Sequence, residues 1–312
     1  MALSAWGQAA SSGAHVVFGT SGLVLAVLAI GASAGCAREV GPALQVETAV
    51  SSAPATPAKM WAAALEAPGI VRERVTFSAP EGTVRGLLAR PAGPGPHPAA
   101  IVVPGSWLLE PYIASTVAML AAEGFAALAV DAFPYFPQVE TYAETESVPW
   151  EVTQQAIARH STDARVADDL AAGWRFLEAQ TTTRRGGVGV IGFCGGGRDA
   201  LVFAAANPAV AAVVVFYAPV RLELSNRRML IDVVPDVSVP VQGHYGLADH
   251  GIPLEHVAEL ERHLAARGVP VEIFRYETGH GFFAHNRDES FAEEAARAAW
   301  GRAVPFLRAH LE

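Results

Sequence analysis

Cys194 stands in Val188-Gly189-Val190-Ile191-Gly192-Phe193-Cys194-Gly195-Gly196-Gly197, an apolar run followed by a cysteine among glycines and then by helix-forming residues through Ala206. This pattern predicts a buried strand, a sharp turn and a helix, with the cysteine at the apex. A side chain exposed on such a turn needs neighbours without β-carbons, because the backbone is strained and a second main chain packs close. Gly192, Gly195 and Gly196 meet that need. The chemistry implied is nucleophilic attack by a thiolate, the species that the positive end of a helix favours.

A nucleophilic thiol needs a base to take its proton and a carboxylate to orient that base. In strand-turn-helix folds of this kind the chain order is nucleophile, acid, histidine. Tyr245-Gly246-Leu247-Ala248-Asp249 supplies a carboxylate after one apolar run, and Glu277-Thr278-Gly279-His280-Gly281-Phe282-Phe283 a histidine after the next. His280 alone combines a loop directly after a strand with small flanking residues. His244, at a strand end but ahead of Asp249, is the second candidate base; His250 and His285 flank the site, and His256 and His263 share a helix face. Gly187-Val188-Gly189-Val190-Ile191-Gly192 also matches the dinucleotide fingerprint G-x-G-x-x-G. Its glycines fall inside the strand rather than after it, and no acid follows about twenty residues on, so that reading is set aside.

The elements that must position these residues alternate. Val71–Phe77 and Val84–Ala89 read as antiparallel strands around Pro80-Glu81-Gly82, and Ala99–Val103 as a third, wholly apolar strand. Further strands are expected at 126–130, 188–191, 210–217, 239–244 and 271–276. Helices are expected at 113–123, 164–179, 253–266 and 290–310. Strands alternating with helices predict an α/β fold, a mostly parallel sheet with helices on both faces and reactive residues at the carboxyl ends of the strands. Between Ala132 and Thr162 the alternation breaks, and Phe133, Tyr135, Phe136, Tyr142 and Trp150 suggest an aromatic insertion walling the pocket.

Of 312 residues, 51% are hydrophobic and 17% charged, as in a packed globular protein. The net charge of −9 argues against nucleic acid as a partner. No Cys/His spacing suits a metal, and no cofactor is implied. With only two cysteines, Cys36 and Cys194, a structural disulfide is not expected. Residues 1–36 differ from the rest: no charged side chain occurs from Val16 to Ala37, and Leu23–Ile30 is densely apolar before Gly31-Ala32-Ser33-Ala34-Gly35-Cys36. This segment reads as a signal peptide, a lipoprotein signal with Cys36 as the lipidated residue, or an uncleaved membrane anchor. Translation from Met60 would instead give a cytoplasmic form. Residues 37–69, rich in Ala, Pro, Ser and Thr, are expected to form a tether, with the catalytic domain over 70–312. Oligomeric state is left open.

From about Val71 to Leu311 the chain resembles the dienelactone hydrolase family of α/β-hydrolase fold. The resemblance rests on Ile101-Val102-Val103, Leu120-Ala121-Ala122-Glu123-Gly124-Phe125, the Cys194 elbow, Gly246-Leu247-Ala248-Asp249, Gly279-His280-Gly281-Phe282-Phe283 and Ala299-Trp300-Gly301-Arg302. It implies a catalytic Cys194-Asp249-His280 triad and an oxyanion hole from the backbone N–H groups of Gly195 and Trp107. It also implies cleavage of a small-molecule ester or lactone through an acyl-cysteine. Thioester hydrolysis or acyl transfer on the same triad, and a non-catalytic envelope lipoprotein, are the alternatives. The chain departs from dienelactone-cleaving members where they carry a glutamate after the third strand, since Ser106 stands there. It also lacks their arginine after the fourth strand, and the first arginine beyond His280 is Arg287. The expected pocket, with Ser106, Phe133, Tyr135, Phe282 and Arg287, is therefore less cationic than a dienelactone site.

Overall fold

A computed structural model of the chain describes residues 59–105, 111–131, 152, 155, 161–223 and 227–311. The aromatic insertion with Phe133 and Tyr135, the segment carrying Ser106 and Trp107, and the N-terminal segment with Cys36 lie outside these residues. Among the described residues no helix is long and apolar enough to cross a membrane.

The apolar runs pair into one sheet of strands β1 (Ile70–Ala79), β2 (Gly82–Pro91), β3 (His97–Val103), β4 (Ala126–Val130), β5 (Thr183–Phe193), β6 (Val210–Phe216), β7 (Val241–Gly246) and β8 (Val271–Tyr276). Their spatial order is β1-β2-β4-β3-β5-β6-β7-β8. β2 is antiparallel to both β1 and β4, and every later neighbour is parallel. Helices α1 (Lys59–Glu66), α2 (Pro111–Ala122), α3 (Asp163–Glu178), α4 (Gly195–Ala206), α5 (Leu230–Val233), α6 (Leu254–Ala266) and α7 (Glu293–Leu311) accompany the sheet. β4 is buried along its whole length because helices cover both faces, which is why it carries no polar residue. This is the expected α/β-hydrolase architecture, with the carboxyl ends of β3 to β8 along one edge.

Three elements differ from expectation. β5 begins at Thr183, so Arg184-Arg185-Gly186-Gly187 are strand rather than loop: Thr183 pairs with His97 before a register shift. The glycines of β5 serve packing, since a β-carbon on Gly189 would lie 2.9 Å from the side chain of Leu307 on α7. The expected tether over 37–69 does not extend to β1, because its last part is α1, whose Trp61 is wholly buried. Trp61, Ala64 and Leu65 share a helical face that joins the core, a three-and-four spacing easily lost in an alanine-rich stretch. Between β6 and β7, in a stretch for which no helix was expected, α5 and a 3-10 turn at Val234–Asp236 form.

The junction of β5, α4 and the end of β3 is the tightest point near the site. A β-carbon on Gly192 would stand 2.3 Å from the Gly196 carbonyl oxygen, and one on Gly196 2.1 Å from that of Pro104. Gly196→Ala should therefore cost about 3 kcal/mol or more in urea unfolding, through forced separation of α4 from β3. Gly301→Ala, where a β-carbon meets open space in the exposed face of α7, should instead stabilise by roughly 0.5–1 kcal/mol. Equal effects at the two positions would contradict this packing account.

Candidate active site

β5 delivers Cys194 into a backbone conformation of φ 50° and ψ −124°. A non-glycine residue held there is strained by roughly 1–3 kcal/mol and persists only where its surroundings enforce it. The Cys194 N–H donates to the Phe216 carbonyl at 2.9 Å, and the Cys194 carbonyl accepts from the Gly197 N–H at 2.9 Å. These bonds hold the turn from both sides. Gly195 follows as the first residue of α4, where backbone N–H groups have no acceptor within the helix. On the β3 side, a β-carbon on Gly105 would sit 3.4 Å from the Cys194 β-carbon and 3.7 Å from the Tyr112 hydroxyl, ordinary contact distances, so that main chain runs beside the cysteine.

β7 and β8 bring the other two groups. A β-carbon on Gly246 would lie 2.3 Å from the Thr278 carbonyl oxygen, and the Ala248 N–H donates to that oxygen at 2.9 Å. The loops carrying Asp249 and His280 are thus drawn together. Asp249 Oδ2 meets His280 Nδ1 at 2.7 Å, while its Oδ1 accepts from the N–H groups of Gly251 at 2.9 Å and Ile252 at 3.2 Å. Both carboxylate oxygens are committed, which fixes the imidazole ring and puts a proton on Nδ1. His280 Nε2 then stands 3.3 Å from Cys194 Sγ. The Tyr217 ring packs 4.9 Å from the imidazole, and Tyr217 shares with Cys194 a positive φ, here 40°.

Burial alone would lower the His280 pKa, but the hydrogen bonds to Asp249 and Cys194 outweigh it and push the imidazole up to about 10. His244 shows the opposite behaviour. It is fully buried, with Nδ1 2.8 Å from the Tyr276 hydroxyl and Nε2 2.9 Å from Gln242 Oε1, and it is stacked between Phe216 and Phe274. Burial and the nearby Arg302 lower it to about 3. Both its ring nitrogens are engaged in the core, so it is no alternative base.

His285 is engaged with α2, its Nε2 3.0 Å from Ser115 Oγ. His263 is exposed on α6 and His256 half-buried there, and His250 is exposed. Phe282, expected in the substrate pocket, is instead wholly buried against Tyr217, Phe216 and Tyr276, and supports the His280 loop from below. The reason is the turn at Gly281, whose φ of 77° sends the chain inward directly after His280. Arg287 lies half-buried in the following turn. At the end of β4, Asp131 binds the guanidinium of Arg85 from β2, with contacts of 3.1 and 2.8 Å. Tyr217 and this Arg85–Asp131 pair were not legible as site features, because a positive φ and a cross-strand contact leave no local mark in sequence.

Because its folded pKa is raised, the His280 pairing contributes stability at pH values below about 6.5 and loses it as pH rises through about 10. NMR titration of the imidazoles should place His280 near 10 and leave His244 neutral down to about 3. A His280 midpoint near 6.5 would show that neither Asp249 nor Cys194 holds its proton.

Comparison with known proteins agrees with the fold. The model of the dienelactone hydrolase family matches residues 84–311. A Methylorubrum extorquens protein named "Putative carboxymethylenebutenolidase" is 31% identical over 250 residues, covering 78% of this chain and 83% of that protein. A Bradyrhizobium protein named "Probable 2-oxo-3-(5-oxofuran-2-ylidene)propanoate lactonase" is 32% identical over 231 residues, 72% of this chain and 88% of its own length. Among solved structures, one titled "Putative Dienelactone Hydrolase" from Klebsiella pneumoniae superposes with a TM-score of 0.69 at 28% identity, covering 77% of this chain and 98% of that one. With a family match spanning most of the chain, from β2 to the end of α7, the protein belongs to the dienelactone hydrolase family and is a carboxylic ester hydrolase of α/β-hydrolase fold.

Proposed function

We propose that the protein hydrolyses a carboxylic ester or lactone through an acyl-cysteine formed on Cys194. The observation that carries this is the continuous chain from Asp249 through His280 to the Cys194 sulfur, at 2.7 and 3.3 Å. The Cys194 thiolate, paired with the His280 imidazolium, attacks the carbonyl carbon. The resulting oxyanion accepts hydrogen bonds from the Gly195 N–H and, by the family resemblance, from that of Trp107; each such donor is worth on the order of a hundredfold in rate. As the carbon–oxygen bond breaks, His280 Nε2 gives its proton to the departing alkoxide. The now neutral imidazole takes a proton from water, hydroxide attacks the acyl-cysteine, and the thiolate leaves to re-form the ion pair.

The substrate class follows from charge. Dienelactone-cleaving members of the family carry an arginine after the fourth strand, whereas Asp131-Ala132-Phe133-Pro134-Tyr135 after β4 contains none, and Asp131 itself binds the Arg85 guanidinium. A carboxylate-bearing lactone would find this side of the site already neutralised, so an uncharged ester or lactone suits it better. The names of the relatives support lactone chemistry in general.

One set of steady-state kinetics tests both claims. Cys194→Ala should remove turnover, and His280→Ala should lower kcat by at least about a hundredfold. His244→Ala should mainly lower stability, because it empties a buried site. Short neutral aryl esters should show kcat/KM on the order of a hundredfold above that for dienelactone. Turnover by Cys194→Ala would overturn the mechanism, and a preference for the anionic lactone would overturn the substrate class.

A further inference from the structure

Trp61 lies upstream of the family match, which begins at residue 84, yet it is among the most deeply buried side chains of the protein. α1 packs on α2 and lodges the indole edge-on against Phe291 at 5.0 Å and Phe283 at 5.7 Å, with the His285 ring at 5.7 Å. The Arg297 guanidinium lies 6.0 Å from the ring centre. Among the described residues the indole N–H has no hydrogen-bond acceptor, so there the ring is held by ring contacts, shape and the Arg297 guanidinium rather than by a hydrogen bond.

Its ring partners lie in the segment that carries His280. Gly281 turns the chain inward after His280, and the segment closes where the Ala292 N–H donates to the Phe282 carbonyl at 3.0 Å. Phe283 reaches from Trp61 on one side to Phe193 at 5.2 Å and Phe216 at 4.9 Å on the other. Phe193 is the residue before Cys194, and the Phe216 carbonyl accepts the Cys194 N–H. One stack of rings therefore backs both the histidine loop and the elbow, and Trp61 closes its outer end. The His285–Ser115 hydrogen bond fastens the same segment to α2.

We propose that Trp61 is a positioning residue for His280: the N-terminal helix holds the histidine loop at the height where imidazole and thiol meet. The proposal rests on the assignment of His280 as the base for Cys194. Emptying or reshaping the Trp61 site lets Phe283 and Phe291 sink, and the loop follows. A displacement of about an ångström at the reacting groups costs up to roughly a hundredfold in rate. It also weakens the hydrogen bonds that keep the His280 proton in place.

The test uses the full chain with Trp61→Leu, which keeps apolar bulk but loses the edge-on ring contacts, and with Trp61→Phe, which restores a ring. Trp61→Met takes the place of the leucine variant should that one lose its cooperative melt. Trp61→Leu should lower kcat by about tenfold with KM changed by less than about twofold. It should also move the alkaline limb of kcat/KM from about 10 towards 6.5. Trp61→Phe should recover both. Wild-type kcat and an unmoved alkaline limb in Trp61→Leu, or a phenylalanine variant as impaired as the leucine one, would overturn the proposal. Cys194→Ala assayed alongside separates the two levels. If it turns over, the assignment of the site fails; if it is inactive while Trp61→Leu is normal, only the role of Trp61 fails.

Discussion

The site depends on a backbone that would not adopt its conformation unaided. Residue 194 sits at positive φ with a side chain attached, and the strain is offset because three main chains close on it: the end of β3, the start of α4 and the end of β6. Gly192 and Gly196 are where the absence of a β-carbon makes that closure physically possible. A second close approach, Gly246 against the main chain after β8, sets the spacing of the acid and histidine loops. Sulfur, imidazole and carboxylate then fall into line because the parallel strands that carry them end along one edge. The chemistry is a consequence of packing distances between main chains more than of any single side-chain contact.

Behind the elbow a buried ionic cluster performs a comparable anchoring task. Arg198, one helical turn beyond Cys194, binds Asp199 at 3.0 Å and Asp163 at 2.5 Å, and Arg227 binds Asp199 at 2.6 Å. The Arg198 guanidinium also donates to the Arg228 carbonyl. Asp163 opens α3, directly after the long insertion, and Arg227 and Arg228 belong to the crossover from β6 to β7. The cluster thus ties two segments to the helix that carries the elbow. Buried pairs of this kind contribute little net stability when intact, but removing one partner strands a charge and typically costs about 3–5 kcal/mol. Their value here is in fixing geometry.

Much of this was legible in the sequence because the signals were local. Unbroken apolar runs announced strands buried on both faces, and glycine spacing around Cys194 announced the turn. Asp249 and His280 stood in loops after strands, in the chain order the fold requires, and the structure brings both to the cysteine. What could not be read was non-local. Trp61 falls in the stretch expected to be a tether, and nothing local marks it as core, since its partners lie more than two hundred residues away at Phe283 and Phe291. Phe282 looked like a pocket residue because it neighbours His280, yet the positive φ of Gly281 turns it into the core. His244 looked like a base until both its nitrogens were seen to be bonded inside the sheet.

The central claim is that the acyl group passes through the sulfur of Cys194. The most direct measurement is rapid acid quenching of the full chain during turnover of a neutral aryl ester, followed by peptide mass spectrometry. The account predicts one acyl group, labile to hydroxylamine, on the peptide containing Cys194. Turnover with the acyl group on another residue, or undiminished turnover after alkylation of Cys194, would contradict it.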